Sequence, residues 1–171
     1  MDPSQIPPAI NAGYSTLMIL AALFFVFLNA FFVLCEFSIV KVRHSKLEQL
    51  LKEKKGGAKQ ALEISSNLDT YLSACQLGIT LSSLALGWLG EPAIARLLSA
   101  WLENTTLSPT LTHTVSIAIA FALITLLHVV LGELVPKSVA IALADKTALW
   151  VARPLHIFWL LFYPLIKTFD F

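Results

Sequence analysis

The chain has 171 residues, 57% of them hydrophobic and 13% charged, and a net charge of +1; its mean hydropathy is +0.75. Soluble domains carry about 25% charged residues, so the composition excludes a soluble enzyme and points to an all-α integral membrane protein with a few spans. No basic patch interleaved with aromatics is present, which excludes a nucleic-acid partner, and Cys35 and Cys75 lie in apolar runs as packing residues without metal-type spacing.

Met1 to Gln5 lacks the basic region of a cleaved signal peptide, so the first apolar run, residues 14–40, is expected to be a retained span. Its polar residues Asn29, Glu36 and Ser38 fall in the second half. Asn29 and Glu36 share a helix face, and Ser38 points roughly opposite Glu36. Glu36 is placed either to pair with a Lys or Arg or to line a cation path. From Lys41 to Gln60 the character changes: Lys41, Arg43, Lys46, Lys52, Lys54, Lys55 and Lys59 crowd a short connection. Leu47, Leu50 and Leu51 recur at helical spacing, which predicts an amphipathic cytoplasmic helix, broken at Gly56-Gly57. The excess of Lys and Arg puts this connection in the cytoplasm and the N-terminus outside.

The second apolar segment covers residues 68–101 and is less hydrophobic than the first. Gly78 and Ser82, four apart, allow close helix approach. Pro92 cannot donate to the carbonyl of Trp88, so a bend or break is expected at Gly87 to Pro92. The connection from Glu103 to Thr112 has no Lys or Arg and reads as external. A third span covers residues 111–143, and Asp145-Lys146 marks a return to water. Ala118 and Ala122 offer a small-residue face on it, as do the glycines of the second segment. The last stretch, residues 149–168, is apolar and aromatic but carries Arg153, Pro154, His156, Pro164 and Lys167. Hydropathy alone allows a fourth span; the two prolines, internal charge and dense aromatics favour a juxtamembrane helix in the cytoplasmic interface, with the C-terminus cytoplasmic. Three membrane helices and a single transmembrane domain over 1–171 result, with any cytoplasmic regulatory domain absent from these residues.

Within the third segment stands Gly132-Glu133-Leu134-Val135-Pro136-Lys137. A carboxylate inside a membrane helix costs about 3 kcal/mol on insertion scales and marks function by default. Pro136 has no N–H, so the carbonyl of Gly132 loses its helical partner. One carboxylate and one freed carbonyl side by side are hard oxygen ligands that suit Mg²⁺. The plainer alternative is a proline kink in which Glu133 faces a water pocket or pairs with Lys137. With the first segment running inward, the second outward and the third inward, Ser38, the stretch Gln76 to Ser83, and Glu133 fall at comparable depth. The expected metal ligands are Glu133, Gly132, Ser38 and Ser82. Supporting or gating contacts fall to Ser83, Gly78, Gln76, Asn29, Pro136 and Lys137, with Ser83 an alternative to Ser82. Each serine can instead bond a carbonyl of its own helix. His128 reads as a hydrogen bond to a neighbouring helix, or as a proton relay. No zinc cluster, phosphate loop or nucleophile–base pair is present, and no enzymatic activity is expected.

Three stretches resemble the CorC/CNNM (cyclin M) family of magnesium transporters. They are Cys35-Glu36-Phe37-Ser38-Ile39-Val40 with the basic residues after it, Gln76 to Leu81 continuing through Gly87-Trp88-Leu89-Gly90-Glu91-Pro92, and Gly132 to Lys137. The resemblance implies three membrane helices with a juxtamembrane helix, a homodimer in the inner (plasma) membrane among its lipids, and Mg²⁺ export coupled to Na⁺. It implies a cation site at Glu133, Gly132, Ser38 and Ser82. It also implies a following pair of cytoplasmic CBS modules that can bind ATP, which these residues do not contain. The alternatives are a non-transporting membrane anchor or Mg²⁺-sensing scaffold, and a channel-like Mg²⁺ pathway without Na⁺ dependence.

Overall fold

Long apolar runs with few interior charges satisfy their backbone away from water by closing their hydrogen bonds within a helix. The computed structural model of the chain describes residues 12–102 and 108–168, with side chains from Thr16 onward, and these residues are helical almost throughout. The helices are α1 Ala12–Lys41, α2 His44–Lys52, α3 Ala58–Ser66, α4 Leu68–Leu102, α5 Pro109–Leu127, α6 Val135–Ala142 and α7 Ala144–Ile166. A π-helical segment, His128–Leu134, joins α5 to α6 without a break in the coil. Pro109 opens α5, where its missing N–H costs nothing, and Ser108 caps it by accepting from the Leu111 N–H. Residues 103–107 of the expected external connection lie outside the described residues.

The three expected spans match α1, α4 and the α5–π–α6 rod within two residues at each end. The last stretch does not behave as expected. Ala144–Ile166 is one helix, and it is long and apolar enough to cross a membrane, so four such helices stand among the described residues rather than three. Its two prolines each remove one backbone hydrogen bond, from Trp150 and Leu160, and the helix continues through both. Pro92 is carried in the same way: α4 runs unbroken for 35 residues, held on both sides by α1 and α5.

α1 is the central element, packing on α4, the π segment, α6 and α7. Two cores form along it. Toward the basic end, Cys35, Ile39, Leu47, Ile64, Tyr71, Val151 and Leu155 belong to one buried cluster. At the other end Ala22, Val26, Leu86 and Ile124 form a smaller one. α3 therefore packs against α7 and α2 against α3, and Leu47, Leu50 and Ile64 are buried within the protein. Gly57 makes this docking possible. It has φ +83°, a left-handed conformation, and a Cβ there would collide with the Leu149 carbonyl of α7. Large apolar side chains stay exposed all along the long helices, including Phe27, Leu84, Phe121 and Leu161, as a lipid-facing surface requires.

Candidate functional site

The Gly132 carbonyl is the centre of the site. It lies in the π segment, and Pro136 cannot donate to it. An unsatisfied carbonyl at this depth would be costly. Asn29 of α1 answers it: its Nδ2 donates to the Gly132 oxygen at 3.0 Å, and the asparagine is completely buried. Ser83 of α4 then donates to Asn29 Oδ1 at 3.0 Å. His128, at the start of the π segment, brings Nε2 to 3.4 Å from Ser83 Oγ and to 3.9 Å from Glu133 Oε1. Three helical elements thus converge on a string of groups: Gly132 carbonyl, Asn29, Ser83, His128 and Glu133. At Gly132 a Cβ would stand 2.8 Å from His128 Cδ2 and 3.1 Å from Asn29 Nδ2, so any larger residue would push these side chains out of their present geometry.

Of the expected ligands, Gly132 and Glu133 are therefore at the site, and Asn29 and Ser83 bond directly into it. Ser82 and Ser38 are fully buried, and each spends its proton on its own helix: Ser82 Oγ on the Gly78 carbonyl at 2.7 Å, Ser38 Oγ on the Cys35 carbonyl at 3.1 Å. Such a bond occupies the hydroxyl proton and leaves the oxygen lone pairs free to accept or to ligate. Ser82 is next in sequence to Ser83, whereas Ser38 lies nine residues beyond Asn29, roughly 13 Å along α1. Gly78 supports the site by packing: its backbone meets the Phe32 ring so closely that a Cβ would stand 2.5 Å from it. Gln76 is exposed and lines a separate cleft with Ser73, Thr80 and Ile166. Lys137 does not pair with Glu133; its Nζ sits 4.5 Å over the centre of the Phe37 ring, a cation–π contact. Pro136 is buried.

Chemically the site offers oxygen. Among the described residues no three of His, Cys, Asp and Glu gather at one point. A cation here would draw on one carboxylate with carbonyl, amide and hydroxyl oxygens, the set that suits hard ions. Two contacts had a weak sequence signal or none. The need of the Gly132 carbonyl for a donor pointed to an amide at matching depth, which Asn29 supplies. The approach of His128 to Glu133 had no signal in α-helical periodicity.

The chain matches the family model described as cyclin M transmembrane N-terminal domain over residues 20–171. It is 46% identical to the UPF0053 protein YugS of Bacillus subtilis over 154 residues, which is 90% of this chain and 36% of that protein. It is 52% identical to the UPF0053 protein YhdT of the same organism over 139 residues, 81% of this chain and 30% of that one. An uncharacterized protein of Mycobacterium tuberculosis, Rv1841c, is 38% identical over 152 residues, 89% of this chain and 43% of its own length. The chain spans about a third of the length of the Bacillus relatives it matches.

Proposed function

Because the chain belongs to the cyclin M transmembrane N-terminal domain family, we propose that it is the membrane domain of a Mg²⁺ transporter that exports the ion in exchange for Na⁺. The observation that carries this reading is the Gly132 carbonyl, freed by Pro136 inside a π segment and held by the buried Asn29 amide beside Glu133. π segments recur at functional sites because they break the regular ladder where a ligand needs backbone. In the proposed cycle Mg²⁺ displaces Asn29 Nδ2 from the carbonyl. It takes the oxygens of Gly132 and Glu133, with Ser82 as a further ligand, and Asn29 and Ser83 reorganise around it; Ser38, roughly 13 Å further along α1, stands outside this set. Water completes the octahedron, since Mg²⁺ sheds its hydration reluctantly. The proposed arrangement puts the Lys41–Lys59 connection in the cytoplasm of a plasma-membrane protein. A homodimer would use surfaces such as the exposed Ala118 and Ala122 on α5.

The test is thermal unfolding in detergent, with Mg²⁺ titrated against Ca²⁺ and Na⁺, on the wild type and Glu133→Ala. A ligand that binds only the folded state stabilises it by about 2.7 kcal/mol at a hundred times its dissociation constant. A Mg²⁺-selective rise in melting temperature, lost in Glu133→Ala, is the expected result. Proteoliposome efflux then separates the mechanisms. Mg²⁺ flux that requires a Na⁺ gradient is expected; flux without Na⁺ dependence would make the domain a channel-like pathway. No Mg²⁺ protection and no flux would leave a non-transporting anchor or scaffold.

A further inference from the structure

At the end of α1 and α6, away from the Glu133 site, the fold opens a cleft of about 680 Å³. Four cationic side chains line it, Lys41, Arg43, Lys46 and Lys146, facing a single carboxylate, Asp145. None of the four forms a salt bridge; the ion pairs among the described residues are His44–Glu48 and His128–Glu133. Only Lys46 has a side-chain partner, the neutral Gln49 amide oxygen at 3.1 Å. The 23-residue α7 begins in the same cleft, and no side chain caps its first turn, so backbone N–H groups there add to the positive field. The remaining wall is polar at Ser45 and Gln49 and apolar from Ile141 to Ala144. Ile141 and Leu143 line it with about half their surface exposed, and Val40, beside Lys41, is exposed as well. Beyond Lys146 a second cleft of about 380 Å³ continues toward Arg153 and the exposed Trp150, and tryptophan favours the headgroup level of a bilayer.

We infer that this cleft holds the phosphate of an anionic phospholipid headgroup, with an acyl chain leaving along Ile141 and Leu143. Unpaired cations around a concave site call for a polyvalent or phosphate anion. The position of the cleft where two long apolar helices end, with greasy residues on its open side, selects a lipid over a soluble phosphate. Basic pockets between membrane helices are built in this way.

The test uses the intact protein in neutral detergent, titrated with phosphatidylglycerol, with phosphatidylcholine of the same chain length, and with inorganic phosphate, and reads the thermal midpoint. Phosphatidylglycerol is expected to raise the midpoint saturably where phosphatidylcholine does not, and 0.5 M NaCl, on the order of threefold above physiological ionic strength, should weaken the effect. Arg43→Gln combined with Lys146→Gln is expected to shift the half-effect concentration roughly thirtyfold, each cation near the surface being worth about fivefold. Lys52→Gln with Lys55→Gln, outside the cleft, should leave it unchanged. Lys146→Arg, which keeps the charge, should respond like wild type, which guards against loss of fold in the double variant. Equal responses to the two lipids, or an undiminished response in the cleft variant, would overturn the inference. Inorganic phosphate acting as strongly as phosphatidylglycerol would overturn the lipid as its source.

Discussion

Removing Asn29 tests the central geometric argument, that this side chain exists to satisfy the carbonyl that Pro136 frees. In Asn29→Ala two groups lose a partner: the Gly132 carbonyl and the Ser83 hydroxyl. Ser83 can turn to His128 Nε2, already 3.4 Å away, so one orphan remains. A buried unsatisfied polar group costs about 1–3 kcal/mol. Hydrogen bonds between membrane helices measure lower, about 0.6 kcal/mol on average and up to about 1.7. The expected destabilisation is therefore about 1–2 kcal/mol. The same substitution is then made beside Pro136→Ala. Residue 136 stands in the first turn of α6, where four-residue pairing resumes after the π segment, so a restored N–H reaches the Gly132 carbonyl from within the helix. In that background Asn29→Ala should cost only about 0.5 kcal/mol, a coupling of roughly 1 kcal/mol that exceeds the scatter of additive pairs, about 0.3–0.5 kcal/mol. Denaturation by SDS in mixed micelles, followed by tryptophan emission, measures all four corners of the cycle. Costs that simply add would refute the argument and make Asn29 a packing residue.

Other positions give single, direct expectations. Gly57→Ala places a Cβ on the Leu149 carbonyl at φ +83° and should destabilise by about 2 kcal/mol or more, read as a lower unfolding midpoint. Gly78→Ala drives a methyl into the Phe32 ring, which is itself wedged against Phe158 with centroids 4.6 Å apart; overpacking of this kind costs about 1–3 kcal/mol, and a smaller Phe32→Leu in the same chain should recover part of it. Tyr71→Phe loses the 2.6 Å contact from its hydroxyl to His156 Nδ1, which ties α4 to α7, and should cost about 1 kcal/mol in the same unfolding assay. Glu133→Gln should leave stability without Mg²⁺ within about 1 kcal/mol of wild type, because the carboxylate is half exposed and its neighbour His128 stands 3.9 Å away, while the Mg²⁺-dependent rise in midpoint disappears.

The spans were legible because their signal is length and hydropathy, which survive any detail of packing. The last helix was misjudged for a physical reason. Pro154, Pro164, Arg153 and His156 read as obstacles to a continuous apolar helix, yet the helix runs through both prolines, Arg153 stays exposed and His156 finds a partner. A proline removes one hydrogen bond, and His156 is taken up by Tyr71. The leucine spacing of the basic connection read as helical, but where that helix packs was not legible. Leucines that face a lipid boundary and leucines packed within the protein leave the same period in the sequence, and it is Gly57, by admitting the Leu149 carbonyl, that lets α3 close on α7.

The site shows the same division more sharply. Pro136 and Gly132 could be read as a freed carbonyl from covalent structure alone, and a freed carbonyl within an apolar rod requires a donor. Asn29 was the natural source: it lies twelve residues from Lys41, and Gly132 lies ten from Ala142, so the two stand at similar depth from the basic end. The choice between Ser82 and Ser83 depended on the rotation of α4 against α1, which no residue pattern encodes; the structure turns Ser83 to Asn29 and Ser82 to the Gly78 carbonyl. The approach of His128 to Glu133 was hidden altogether. Residues five apart point about 140° away from each other on an α-helix. The π segment, whose Val135 N–H donates to the Val130 carbonyl five residues back, gives His128 and Glu133 a common side. Reading the motif with α-helical phase therefore misplaces the carboxylate relative to everything upstream of His128. The extra residue of the π turn brings Glu133 round toward Ser83 and Asn29, which makes the π segment itself, as much as any side chain in it, the device that assembles the site.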